Sequence, residues 1–135
     1  MRFTLSTKGF CDVIDITDKI EKIVQESGAK EGLVLIFSQG STCGITMIEY
    51  EEGIIEDFKE IIEKIIPQHK NYKHCQRWGD CNGFSHLRSA LIPPSLVVPI
   101  ENGNLVCGTW QQIVFIDFDN RSREREVVVK VMIKH

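Results

Sequence analysis

The sequence predicts an α+β fold whose sheet is largely antiparallel, packed against one long and one or two short helices. Three observations carry this: apolar runs of strand length separated by tight turns, one long amphipathic helix, and more strand hairpins than strand–helix–strand crossovers. At 135 residues the chain is sized for one domain, 1–135, large enough to bury a core without staples.

Arg2 to Ser6 alternates weakly and reads as a strand, with Phe10 to Ile16 as its hairpin partner across Thr7-Lys8-Gly9. Ile16, Ile20, Ile23 and Val24 then fall on one helical face, with Thr17 or Asp18 to cap the start and Gly28 at a left-handed C-terminal position. Gly32 to Phe37 is a continuous apolar run, the pattern of a strand buried on both faces, and Ile45 to Tyr50 reads as its neighbour. Ile54, Ile55, Phe58, Ile61, Ile62, Ile65 and Ile66 recur at helical spacing until Pro67, opposite a solvated face of Glu56, Glu60, Glu63 and Lys64. A loop follows, then a short helix over Ser85 to Leu91 ended by Pro93-Pro94. Leu96 to Ile100 and Leu105 to Cys107 flank Asn102-Gly103, a type I′ hairpin signal. Gln112 to Phe118 and Val127 to Ile133 complete the strands, joined by a polar turn over Asp119 to Arg125.

Composition narrows the function. A hydrophobic share of 42% and a charged share of 26% are those of an ordinary soluble protein. A net charge of -3, with Arg121, Arg123 and Arg125 interleaved with Glu124 and Glu126, argues against general nucleic-acid binding. No apolar run approaches a membrane span, and MRFTLSTKGF lacks the apolar core of a signal peptide, so the expectation is a cytoplasmic protein that does not engage membranes. Five cysteines in that setting suggest thiols rather than bridges, and the spacing of Cys75 and Cys81 is not that of a zinc knuckle.

The segment from Asn71 to Leu91 concentrates histidine, cysteine, arginine, aspartate and tryptophan in a connector, where a rigid scaffold can position groups the core does not need. His74 and His86 can converge on one metal ion, or each can simply hydrogen-bond a carbonyl or lie at the surface. A third ligand would come from Glu49, Asp80, Cys43 or Cys75. Glu49 closes an apolar strand and either points outward or faces a pocket as acid, base or ligand. Ser41 and Thr42 lie in a turn that can cradle an anion or be only a hairpin loop. Arg88, Arg123 and Arg125 are of the type that holds phosphate bidentately, although arginine at a sheet edge also serves to block aggregation. Trp110 is core or pocket wall, with Gln111 beside it presenting an amide.

At these residues the chain resembles the YjbQ-like family, also described as secondary thiamine-phosphate synthases. The resemblance covers nearly the whole chain. It includes Asp15-Ile16-Thr17, Gly32 to Phe37, Ser41-Thr42-Cys43-Gly44-Ile45-Thr46 with Glu49, Tyr72 and His74, and Asn82 with Ser85-His86-Leu87. It continues through Ser95-Leu96, Pro99, Gly103, Gly108-Thr109-Trp110-Gln111 and the pair Arg123 and Arg125. What the resemblance implies is a compact α+β fold, a homotrimer, and a pocket where three histidines gather a metal or an anion. His74 and His86 match two of those histidines; Glu49, Asn82, Trp110, Gln111 and Arg125 match other pocket positions. The place of the first histidine is Gly40 here, with Cys43 where alanine is usual, which weakens the expectation of a divalent ion such as zinc or magnesium. A one-residue expansion within 120–125 is a lesser departure.

The activity implied is transfer of a hydroxymethylpyrimidine diphosphate onto a thiazole phosphate with loss of pyrophosphate. Glu49, His86 and Arg125 would be its catalytic groups, and Ser41, Thr42, Asn82, Arg88, Trp110, Gln111 and Arg123 would hold a small phosphorylated ligand. The alternatives are a regulatory anion- or metal-binding protein that keeps the pocket without catalysis, and a metal-dependent phosphoester hydrolase.

Overall fold

The computed structural model describes residues 1–135 as eight strands and four helices. In chain order these are β1 (Arg2–Thr7), β2 (Asp12–Asp15), α1 (Thr17–Ser27), β3 (Gly32–Ser38), β4 (Cys43–Ile48) and α2 (Glu52–Ile65). Then follow α3 (Lys73–Trp78), α4 (Gly83–Leu91), β5 (Ser95–Glu101), β6 (Asn104–Leu105), β7 (Gln112–Asp117) and β8 (Arg123–Ile133). All strand pairings are antiparallel, as the α+β reading requires.

The strands form two sheets rather than one: a five-stranded sheet β1-β8-β3-β5-β6 and a three-stranded sheet β2-β7-β4. The expected β1–β2 hairpin therefore does not form. Gly9, Phe10 and Cys11 all take positive φ, and the Phe10 amide donates to Asp119 O, so the chain leaves one sheet and enters the other. A side chain at Gly9 would come 2.4 Å from Arg121 O, so this crossing admits only glycine. The expected β3–β4 neighbour pairing does not form either: β4 pairs with β7.

The two sheets and α1 enclose the larger core, built from Ile20, Val24, Val34, Ile36, Ile45, Val98, Ile113, Phe115, Val127 and neighbours. A second cluster, Cys11, Val13, Ile62, Val114, Ile116 and Phe118, fills the opposite face of the small sheet, with Phe58 and Ile55 of α2 packed against it. Successive residues of a strand face opposite sides, so the strand buried on both faces is β7, not β3. In β3, Val34 and Ile36 are buried while Leu33 and Phe37 remain exposed on the outer face of the large sheet.

Local chemistry sets the helix ends. The Asp15 carboxylate, not Thr17 or Asp18, accepts the Thr17 amide at 2.9 Å to start α1, and Gly28 ends it in the left-handed conformation. Glu51 accepts the amides of Gly53 and Ile54 at the head of α2. The Asn102-Gly103 turn has both residues at positive φ, as the type I′ reading predicts. The connector is not all loop: it contains α3, and Cys75 and Cys81 form a disulfide, contrary to the expectation of five free thiols. Gly79, left-handed at the end of α3, turns the chain back so that the two cysteines meet.

Candidate functional site

At the C-terminal end of β7 two carboxylates enter the interior. Asp117 and Asp119 are fully buried, and each is paired with a guanidinium from the start of β8. Asp117 takes Arg125 through two contacts, Nε at 2.8 Å and Nη2 at 3.0 Å, and also accepts the Thr7 hydroxyl at 2.6 Å and the Asp119 amide at 2.9 Å. Asp119 takes Arg123 Nε at 2.8 Å, Asn82 Nδ2 at 3.2 Å and the Asn120 amide at 2.8 Å. Thr42 ties the β3–β4 turn to the cluster: its hydroxyl accepts Arg125 Nη2 at 2.6 Å and lies 3.3 Å from Asp119 Oδ2. Burial opposes ionisation of Asp119, but the Asn120 amide, Asn82 and Arg123 together hold its carboxyl below the usual carboxylate range. Burial likewise disfavours the charge on Arg125, and Asp117 more than restores it. Each arginine keeps its Nη1 free of protein hydrogen-bond partners.

The helical connector docks onto this cluster. Ser85 donates to Phe118 O and Ser89 to Cys43 O, both at 2.6 Å, which seats α4 across the small sheet. Gly44 permits the fit, since a Cβ there would stand 2.4 Å from Ile92 O. Asn82, heading α4, reaches Asp119, and its amide orientation follows: only Nδ2 can donate to a carboxylate, so Oδ1 faces away. That Oδ1 is buried and has no partner, and the same is true of His74 Nδ1. Asp80 Oδ1 stands 3.4 Å from His74 Nδ1, within range of charge attraction but not aligned to accept a hydrogen bond. The His74 and His86 rings lie 4.8 Å apart, centre to centre, tilted by 43°. Two orphaned polar atoms and two adjacent imidazoles thus share the α3–α4 junction. Buried polar groups without partners are uncommon, and those found call for a water, ion or ligand.

The expected residues divide into three groups. His74, Asn82, His86, Thr42, Arg123 and Arg125 gather where α3, α4 and the β7–β8 turn meet, with Ser41 exposed in the adjoining turn. Arg88 stands apart, 3% exposed, holding Ile66 O through Nε and Nη2 and pairing with Glu63 at 2.7 Å. Glu49, Trp110 and Gln111 lie at the other end of the small sheet, where Ile48 opposes Gln112, while Cys43 opposes Asp117 at the site end. At about 3.4 Å per residue, this separation is on the order of 17 Å. Trp110 is 72% exposed and so is neither core nor pocket wall within one chain, and Gln111 Oε1 is taken by the Gly108 amide.

A bound zinc requires three or four protein donors converging on one point. His74 and His86 supply two, and although Asp80 stands beside His74, no three such donors converge on one point. The space at Gly40 is already used, because a Cβ there would meet Cys43 Sγ at 2.8 Å and Arg125 Nη1 at 3.1 Å. The residues of this chain alone do not fit a metal centre. Reading the sequence missed Asp117 and Asp119, although Phe-Ile-Asp-Phe-Asp places two acids in a run otherwise fit for the core. That signal was available: an acid at an interior strand position must find a cation.

A family model described as UPF0047 protein YjbQ-like matches residues 1–134. A UPF0047 protein of Archaeoglobus fulgidus is 41% identical over 132 residues, covering 98% of this chain and all 100% of that protein. YugU of Bacillus subtilis, another UPF0047 protein, is 33% identical over 123 residues, 90% of this chain and 89% of its own. Among solved structures, a YbjQ-like protein of unknown function from Sulfolobus solfataricus superposes with a TM-score of 0.93 at 34% identity, covering 99% of this chain and 96% of that one. A YjbQ/UPF0047 protein from Clostridium acetobutylicum gives 0.89 at 34% identity, covering 98% and 99%.

Proposed function

The chain belongs to the YjbQ-like UPF0047 family, and we propose that it binds a small phosphorylated ligand where α3 and α4 meet the β7–β8 turn. The reaction we assign to this site is of thiamine-phosphate-synthase type, in which a thiazole phosphate displaces pyrophosphate from a hydroxymethylpyrimidine diphosphate. One observation carries the reading: Asn82 Oδ1 is orphaned at the head of α4, one helical turn before His86, whose ring adjoins that of His74. An amide oxygen fixed by its own Nδ2–Asp119 bond demands a donor, such as an exocyclic amine. The two imidazoles of the junction can donate to a phosphate. A ligand carrying both groups satisfies both, and an aminopyrimidine diphosphate is one.

In such a displacement, negative charge grows on the leaving pyrophosphate while the methylene carbon becomes cation-like. Fixed donors aimed at the leaving group lower that barrier most. His74 and His86 are the donors this chain offers, because the charges of Arg123 and Arg125 are largely answered by Asp119 and Asp117. The free Nη1 atoms of the two arginines can add hydrogen bonds at the rim. Glu49 and Trp110 could join this site only from a neighbouring copy, so a homotrimer is part of the same proposal.

The test is formation of thiamine phosphate from the two phosphorylated halves, followed by oxidation to fluorescent thiochrome. Wild-type protein is expected to form product, and His86→Ala to lose at least about tenfold in rate. No product above the protein-free blank would refute the transferase reading. A second reading, ligand binding without efficient catalysis, is favoured by Gly40, where the position of the family's first imidazole is filled by Cys43 Sγ and Arg125.

A further inference from the structure

We propose that Cys75 and Cys81 are a reversible thiol–disulfide site that holds the α3 half of this junction closed when oxidised and releases it when reduced. The element concerned is α3. It has six residues, buries none of them, and has no side-chain hydrogen bond at its N-terminus. A helix this short does not persist in water on its own cooperativity. Its flanks are tied down: Tyr72 donates to Pro67 O at 2.6 Å, and Asp80 O accepts Asn120 Nδ2 at 2.9 Å. Between those ties, the only covalent link is the disulfide, which joins the middle of α3 to the residue after Asp80. His74 precedes Cys75 and Asp80 precedes Cys81, so the bridge joins the chain neighbours of both members of the 3.4 Å imidazole–carboxylate pair. Opening it lets His74 leave its place beside His86.

The position also suits exchange. Cys81 is exposed and Cys75 half-buried, so an incoming thiolate can reach the bridge. The other three cysteines are poor partners: burial pushes the Cys11 thiol up to about 11 and raises those of Cys43 and Cys107. The reductant is a protein or small-molecule dithiol. Its thiolate attacks one sulfur of the bridge, the Cys75–Cys81 bond breaks, and its second thiol resolves the mixed disulfide. Two electrons and two protons pass to Cys75 and Cys81, and the dithiol leaves as its disulfide. Oxidation is the reverse exchange with a disulfide of the same class.

The proposal does not rest on phosphate binding, and its test does not use a ligand. Full-length protein equilibrated with oxidised or reduced dithiothreitol would be unfolded, alkylated and weighed, and in parallel examined by hydrogen exchange. The oxidised sample should alkylate at three cysteines and the reduced one at all five, matching the three free thiols of the structure. Amide exchange across 73–79 should rise at least about tenfold on reduction, with β7 unchanged. Cys75→Ser/Cys81→Ser should exchange like the reduced protein in both buffers. Five alkylated cysteines under oxidising conditions, or the same exchange in α3 whatever the redox state, would overturn it.

Discussion

Asp117 and Asp119 are the residues on which the site end of the molecule turns. Each is wholly buried, and each neutralises one arginine, so neither carboxylate can be removed without stranding a charge. Breaking a buried pair by deleting one partner costs about 3 to 5 kcal/mol. The pH dependence has a definite sign. A carboxyl whose folded pKa is depressed stabilises the protein above its unfolded value and loses that contribution as pH falls through the folded one. Asp119 is such a group, so its contribution is present above about pH 4 and is lost in more acid solution. Urea unfolding of wild type and Asp119→Asn should therefore differ most near neutrality and converge as the pH drops below about 4. A gap that stays constant down to acid pH would contradict this assignment. These two acids escaped the sequence reading because Asp119 looked like the first residue of a polar turn. The histidines were legible as a pair because they sit in one connector, but no spacing rule reveals that Asn82 spends its amide on a carboxylate 37 residues away.

At the level of elements, apolar runs and periodicity located α1, β3, α2, β7 and the I′ hairpin, since those follow from local residue chemistry. It did not locate pairing. Whether β2 joins β1 or β7 is decided by three successive positive-φ residues and by contacts to Asp119, and nothing in the alternation of β1 encodes that. Helix α3 was hidden because a six-residue helix that buries nothing leaves no apolar stripe. Arg88, whose type suits phosphate, is engaged in this structure at a helix end. Its guanidinium donates twice to Ile66 O at the end of α2, which secures that helix over the small sheet. Arg88→Ala should lower stability by about 2 kcal/mol, the range for a charge-assisted hydrogen bond. The thermal midpoint should fall while the transferase activity proposed above, measured below that midpoint, stays unchanged. A variant as stable as wild type would mean the contact carries no weight.

At the scale of the whole molecule, the large sheet leaves one face uncovered. Leu33, Phe37, Val97 and Met132 are exposed there, on strands paired side by side. An apolar sheet face of this kind is costly to leave in water and suits burial against further copies. No helix of the chain is long and apolar enough to cross a membrane. The proposed association would also answer the division of the expected site residues, because Glu49 and Trp110 flank the end of the small sheet opposite Asp117. Sedimentation should give a trimer for wild type, and Val97→Lys should shift the mass toward the monomer of 15.4 kDa. A wild-type monomer at micromolar concentration would remove association from the account.

The claim that α3, α4 and the β7–β8 turn form a phosphate-binding site is tested most directly by calorimetric titration of the intact protein with inorganic pyrophosphate. Saturable binding at one site per chain is expected, weakened at least about tenfold by His86→Ala, a loss of about 1.4 kcal/mol. No binding by the wild type, or equal affinity in the variant, would contradict it.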